Sequence, residues 1–215
     1  MTSIAREDYL KAMWKLGSSN IGTLELANHL KVTPASTTKM ILKLRENGLV
    51  RHKPYKGASL TEKGLKNALS VVRRHRLLET FLSKTLGLSN ESLHVEAERL
   101  EHALSKDLEN SIAKYLNNPV RDPHGHPIPG PNGEIFNNKD ILLSECPISS
   151  KTIIRQVPDE DSEILLWLKN NGVILGQEMY IKSINNFDDS LVVEINNSLI
   201  EISSNISKLV YVTIE

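Results

Sequence analysis

Residues 31–64, KVTPASTTKMILKLRENGLVRHKPYKGASLTEKG, combine a helix start, a helix stop and a hairpin. Thr33 before Pro34 predicts the start, because a side-chain oxygen caps a free N–H and proline suits the first helical position. Met40, Ile41 and Leu44 recur at helical spacing, and Gly48 predicts a left-handed stop after Asn47. The opposite face shows Ser36, Thr37, Lys39 and Lys43. Two short extended runs, 49–53 and 58–61, flank Pro54-Tyr55-Lys56-Gly57 and read as a hairpin, after which Thr61 and Lys63-Gly64 open another helix. Upstream, Tyr9, Met13 and Leu16 predict a helix over 4–16, broken by Gly17-Ser18-Ser19-Asn20. Thr23 then caps a short helix, 24–30, with Leu26, Ala27 and Leu30 as its apolar side. Helix, helix-turn-helix, two-stranded wing and helix make a winged helix-turn-helix, whose second paired helix enters the DNA major groove. Thr33, Pro34, Ala35, Ser36, Thr38 and Lys39 are the expected DNA contacts, with Lys53 and Lys56 on the wing near phosphates. A winged helix used for protein contacts would show the same element order.

Charge favours DNA. The chain has 215 residues with 26 Lys+Arg against 26 Asp+Glu, a net charge of zero. Residues 1–76 hold 15 bases and 5 acids, net +10, and the remainder holds 11 bases and 21 acids, net −10. A basic block of this kind is an electrostatic footprint for phosphate, although a solvated basic face has the same count. One cysteine, Cys146, excludes a disulfide framework and fits a reducing, cytoplasmic setting. No apolar run approaches the roughly 20 residues that span a bilayer. The N-terminal residues carry charges throughout, unlike a signal peptide.

Downstream, a long helix is expected from about 65 to 86, stopped by Gly87, and another from 92 to 115, ended by Asn117-Asn118-Pro119. Residues 119–133 hold five of the nine prolines and read as a loop. Beyond 149 come five Ile/Val-rich runs, 152–157, 179–184, 191–195, 198–202 and 209–214, around one short helix at 162–170. This pattern predicts a small barrel or sandwich.

Five of the seven histidines, His75, His94, His102, His124 and His126, lie within about 50 residues of one another. On a helix, His94, Glu98, Glu101 and His102 form a stripe beside the apolar stripe of Ala97, Leu100, Leu104 and Leu108. His75 and Glu79 pair at i, i+4 on the preceding helix. Half-buried acids require partners or cations, and a divalent metal with neutral imidazole satisfies both. Ion pairing with Arg99 or Lys106 on a solvated face is the alternative.

Four pieces make the whole chain resemble the diphtheria toxin repressor and manganese transport regulator family of metal-activated repressors. They are Glu7-Asp8-Tyr9-Leu10, the run from Arg73 through His75 to Glu79, the run from His94 to His102, and His124-Gly125-His126-Pro127-Ile128-Pro129-Gly130. The resemblance implies a homodimer that is mainly α with a C-terminal β domain. It implies a winged helix at 1–72, a helical dimerisation and metal domain at 73–140, a linker at 141–150 and an SH3-like, FeoA-like barrel at 151–215. By position it implies a primary metal site of Asp8, His75, Glu98, Glu101 and His102. Iron-preferring relatives place Met and Cys where this chain has Asp8 and Glu98, so the resemblance implies Mn²⁺ with Fe²⁺ as the alternative. Lys11 stands where short manganese regulators place an acid, a departure that argues against their binuclear site. A second site is implied at Glu79, Asp122 and His124, with His94 as an alternative member and an acid from 159–161, Glu160, completing it. Metal would fix the two winged helices of the dimer at the spacing of a palindromic operator of metal-uptake genes. Two other classes fit the residues alone: a regulator sensing an organic effector, and a helical metalloenzyme.

Overall fold

The computed structural model describes residues 3–53, 56–135, 139–159 and 161–215. They divide into two compact units, one of residues 1–78, 96–119 and 128–136, the other of residues 79–95, 120–127 and 137–215.

The first unit opens with α1 (Ser3–Lys15), α2 (Thr23–His29) and α3 (Pro34–Glu46), then β1 (Val50–Lys53) and β2 (Gly57–Leu60). Thr33 caps α3 as expected, accepting a hydrogen bond from Ser36 N at 3.2 Å, and Gly48 takes φ +70° beyond its end. The wing pairs antiparallel, Val50 with Leu60 through Lys53 with Gly57, and Ile21 adds a bridge to Ala58. Leu10, Met13, Ile21, Leu26, Ile41, Leu44 and Ala58 close one core beneath these elements. Thr37 departs from the expected solvent face. It is fully buried, its hydroxyl 3.3 Å from Tyr9 Oη and donating to the Thr33 carbonyl at 3.2 Å.

Helix α4 (Glu62–Leu86) starts where Thr61 Oγ1 accepts from Gly64 N at 3.0 Å. Gly64 lies so near the wing that a Cβ there would stand 2.0 Å from the Leu49 carbonyl oxygen. The helix expected over 92–115 is two helices, α5 (Asn90–Leu100) and α6 (Lys106–Tyr115). The break has a local cause: Ser105 caps α6, accepting from Leu108 N at 3.2 Å, and a capping serine competes with helix continuation. Arg73 pins the proline-rich segment from inside, donating to Glu109 Oε1 at 2.9 Å and to the Pro129 carbonyl at 2.7 Å.

The second unit is built on a six-stranded antiparallel sheet in the order β3-β8-β4-β5-β6-β7. The strands are β3 (Ile141–Leu142), β4 (Lys151–Gln156), β5 (Glu178–Ile184), β6 (Leu191–Ile195), β7 (Ser198–Ile202) and β8 (Tyr211–Ile214). Register shifts interrupt β4 against β8 and β5 against β6, the bulges by which a short sheet curls. Helix α7 (Ser162–Asn170) and the four-residue α8 (Ser204–Ser207) complete the unit, and Leu168 seals its core of Ile154, Met179, Ile181, Val193 and Val212. Residues 141–150, expected as a linker, instead supply β3 and two core side chains, Leu143 and Cys146. Apolar residues at 141–143 find a free sheet edge on β8, which a two-residue strand fills without a long periodic signal.

Gly64→Ala is expected to lower the unfolding free energy by about 1–3 kcal/mol in a denaturant titration, since backbone must move to admit the methyl group. Burial pushes the Cys146 thiol up to about 11, with Glu145 adding to it. A thiol reagent at neutral pH is therefore expected to leave the native chain unmodified and to react once it is denatured.

Candidate metal centre

In the first unit, Asp8, Glu101 and His102 each offer a ligand atom, all within 4.8 Å of one another. Asp8 comes from α1, while Glu101 and His102 occupy the turn that follows α5. The helix break missing from the sequence reading therefore positions two of the three donors. His102 Nε2 lies 2.9 Å from Asp8 Oδ1 and 3.4 Å from Glu101 Oε1. Its Nδ1 lies 2.7 Å from Glu7 Oε2, which also accepts from Arg74 Nη2 at 2.8 Å. Glu7 thus holds the ring so that Nε2 faces the other carboxylates, the way an outer carboxylate orients a metal-binding imidazole.

Glu101 is only 1% exposed. Lys11 Nζ donates to both its oxygens, at 3.0 and 2.8 Å, and His75 Nδ1 lies 2.6 Å from Oε2. Glu98 is half-exposed, its carboxylate 3.7 Å from Lys11 Nζ. Of the five expected ligands, three converge; His75 reaches the group through Glu101, and Glu98 flanks it through Lys11. Burial pushes the Asp8 carboxyl above its usual range against the pull of His102, and Glu101 adds to the rise. Burial also acts to raise Glu101, but the hydrogen bond from His75 and the Lys11 ammonium outweigh it and hold that carboxyl below the usual range. A site rich in carboxylate oxygen with one imidazole suits a hard divalent cation.

A second group lies in the other unit. Asp159 joins Glu79 and His94, and it also joins Asp122 and His126, with ligand atoms within 4.8 Å in each group. His94 Nδ1 is 3.4 Å from Glu79 Oε1, and His126 Nδ1 is 3.3 Å from Asp122 Oδ2 and 3.5 Å from Asp159 Oδ2. Asp122 Oδ1 accepts from the backbone N–H groups of His124 and His126 at 2.8 and 2.9 Å, so the turn aims Oδ2. Both Asp122 and His124 are buried rather than on an exposed turn. His126, not His124, faces the acids; His124 Nε2 is buried with no hydrogen-bond partner among the described residues. Glu160 lies outside the described residues, and its neighbour Asp159 supplies the carboxylate.

On the winged helix, Thr33, Pro34, Ala35, Ser36, Thr38 and Lys39 are exposed along the start of α3, and Lys53 and Lys56 are exposed on the wing. Pro54 and Tyr55, between them, lie outside the described residues.

The chain matches three family models in succession. Residues 1–58 match the iron dependent repressor N-terminal DNA binding domain, residues 61–130 the iron dependent repressor metal binding and dimerisation domain, and residues 141–214 the FeoA domain. A helix-turn-helix transcriptional regulator of Methanocaldococcus jannaschii is 39% identical over 104 residues, 47% of this chain and 83% of that protein. The chain belongs to the diphtheria toxin repressor and manganese transport regulator family. MntR of Bacillus subtilis is 36% identical over 109 residues, 49% of this chain and 75% of that protein. Among solved structures, a manganese-dependent transcriptional repressor in complex with manganese superposes with a TM-score of 0.91 at 32% identity, over 98% of this chain and all of that one. ScaR with bound Zn²⁺ superposes with a TM-score of 0.87 at 32% identity, over 97% of this chain and 98% of that one. The winged helix and the C-terminal β domain expected from the sequence are the architecture of these family members.

Three side chains of this family member lie outside the site residues expected from the sequence: Glu7, Lys11 as an occupant and His126, while Asp159 falls in the acid run 159–161 from which Glu160 is the expected ligand. Lys11 follows Asp8 at i, i+3, which places both on one helix face, and His126 follows His124 at the spacing of a turn. No local signal marks Glu7, whose partners lie 67 and 95 residues away. Glu7→Ala is expected to weaken Mn²⁺ binding about 10–100-fold in a chelator-competition titration, as loss of an orienting carboxylate does. An unchanged affinity would mean that Glu7 does not orient His102.

Proposed function

We propose that this chain is a homodimeric, metal-activated transcriptional repressor that reads a palindromic operator in double-stranded DNA. It responds to Mn²⁺ in preference to Fe²⁺, acts in the cytoplasm on metal-uptake genes, and catalyses no reaction. The observation that carries this reading is the meeting of Asp8, on the first helix of the winged helix, with Glu101 and His102. The proposed primary ligands are Asp8, Glu101 and His102, with His75 and Glu98 completing the set. Oxygen donors favour Mn²⁺, and the one thiol, Cys146, is buried in the core of the other unit. Glu79, His94, Asp122, His126 and Asp159 make a second cation site in this reading, and His124 offers a further imidazole nitrogen. DNA reading belongs to residues 1–72, metal sensing and dimerisation to 73–140, and the SH3-like barrel to 151–215 with its edge strand from 141–150.

A bound divalent cation supplies positive charge shared among carboxylates that otherwise repel one another. The chain's own residues convert that into a position for α1. Asp8 fixes α1 against the turn after α5, and the adjacent Tyr9 is buried with its hydroxyl 3.3 Å from Thr37 Oγ1 on α3. Holding α1 therefore holds the helix whose exposed start carries Thr33, Ala35, Ser36 and Lys39, and a state with α1 held is the state selected by cation. No helix among the described residues is long and apolar enough to cross a membrane.

Duplex DNA selected from a random pool in Mn²⁺ provides the test. Gel-shift affinity is expected to rise on adding Mn²⁺ to chelator-treated protein, and Asp8→Ala is expected to lose that response while unfolding normally. Equal binding in chelator and in Mn²⁺ would refute metal gating.

A further inference from the structure

Two separate segments of the second unit supply donors to its cation cluster: the loop 121–127 carries Asp122 and His126, and the chain leaving β4 carries Asp159. One carboxylate joins the two segments from outside the cluster. Asp140, with a side chain only 4% exposed, belongs to no group of candidate ligands among the described residues. Its Oδ2 accepts from Arg121 Nη2 at 2.9 Å and from Gln156 Nε2, at the end of β4, at 2.8 Å. Its Oδ1 accepts from Thr213 Oγ1 on β8 at 3.2 Å. Arg121 Nη1 meanwhile spans the loop to the Gly125 carbonyl at 2.6 Å, between His124 and His126. The loop also rests directly on the strand. Val157 N–H donates to the His124 carbonyl at 3.0 Å, and a Cβ on Gly125, at φ +88°, would stand 1.9 Å from the Arg155 carbonyl oxygen.

We infer that Arg121 and Asp140 are positioning residues of the second cation site: their ion pair sets the distance from Asp122 and His126 to Asp159, and with it the affinity for a divalent cation. The chemistry of both side chains suits this task. The planar guanidinium bonds two acceptors in fixed directions, whereas lysine would keep the charge on a single point. Asp140 takes three donors on two oxygens, so an asparagine there would turn its own N–H group towards a donor on one side. Donors held in place by such a clasp bind a cation without first ordering the loop, and outer partners of metal ligands tune affinity in this way.

The inference rests on the second cation site of the proposed function, and Mn²⁺ titrations of the full-length chain in competition with a chelator test it. One series starts from Asp8→Ala, which disables the primary centre, and adds Asp140→Asn, Arg121→Lys, both together, or Asp159→Ala. The other starts from Asp159→Ala, which disables the second site, and adds Asp140→Asn or Arg121→Lys. Melting temperatures in chelator show which variants fold. In the first series Asp140→Asn and Arg121→Lys are each expected to weaken Mn²⁺ binding about 10-fold, and the pair no more than either alone, because both break one clasp. In the second series neither is expected to change Mn²⁺ binding. Unaltered affinity in the first series, losses that add in the pair, or an equal loss in the second series would overturn the inference. Should Asp140→Asn not fold, Arg121→Lys decides by the same comparison. Absence of Mn²⁺ binding by Asp8→Ala, or binding that survives the added Asp159→Ala, would overturn the second site itself, whereas a second site indifferent to Arg121 and Asp140 would overturn positioning alone.

Discussion

A charged carboxylate buried at the end of α5 constrains the rest of the first unit. Glu101 is almost inaccessible to water, and an unpaired charge in that position would be severely destabilising. Lys11 and His75 supply the compensation, and breaking a buried pair of this kind by removing one partner costs about 3–5 kcal/mol. Lys11 lies on α1, His75 on α4, and Glu101 in the turn after α5. Satisfying one carboxylate therefore gathers three elements distant in sequence. Asp8 and His102 meet as a consequence, since Asp8 lies one turn before Lys11 and His102 directly follows Glu101. The proposed metal centre in this sense shares Glu101 with a buried ion pair.

The same pairing recurs through the molecule. His102 faces Glu7, His75 faces Glu101, His94 faces Glu79 and His126 faces Asp122. A carboxylate beside one ring nitrogen fixes the ring's direction, and with it the direction of the other nitrogen. Clustering of histidines in the sequence reflects this architecture. The charge split acquires a similar meaning. The basic excess lies in the part that presents α3 and the wing, while many acids of the remainder are engaged with histidines, lysines and arginines rather than simply solvated.

How much was legible varies with the range of the interaction. Thr33, Pro34 and Gly48 act on backbone groups within a turn of themselves, so the bounds of α3 could be read directly, as could β6, β7 and α7. Resemblance to a family supplied Asp8 as a site residue, where the residue alone reads as an ordinary acid at a helix start. The break between α5 and α6 was missed because the apolar stripe runs on in phase across it, and Ser105 alone announces the new helix. The edge strand β3 was missed because two residues carry no period. Thr37 was assigned to solvent by its polarity, whereas its burial follows from Tyr9 on another helix.

Local chemistry in the sequence therefore determined the element order, the basic DNA-reading end, the C-terminal β domain and the set of residue types capable of holding a metal. Only tertiary structure decided which of them meet. It placed Lys11 on Glu101, Glu7 behind His102, and Asp159 between two acid–histidine pairs. These contacts join residues tens of positions apart, where sequence periodicity carries no information, and they are selected by the cost of leaving a buried charge unpaired.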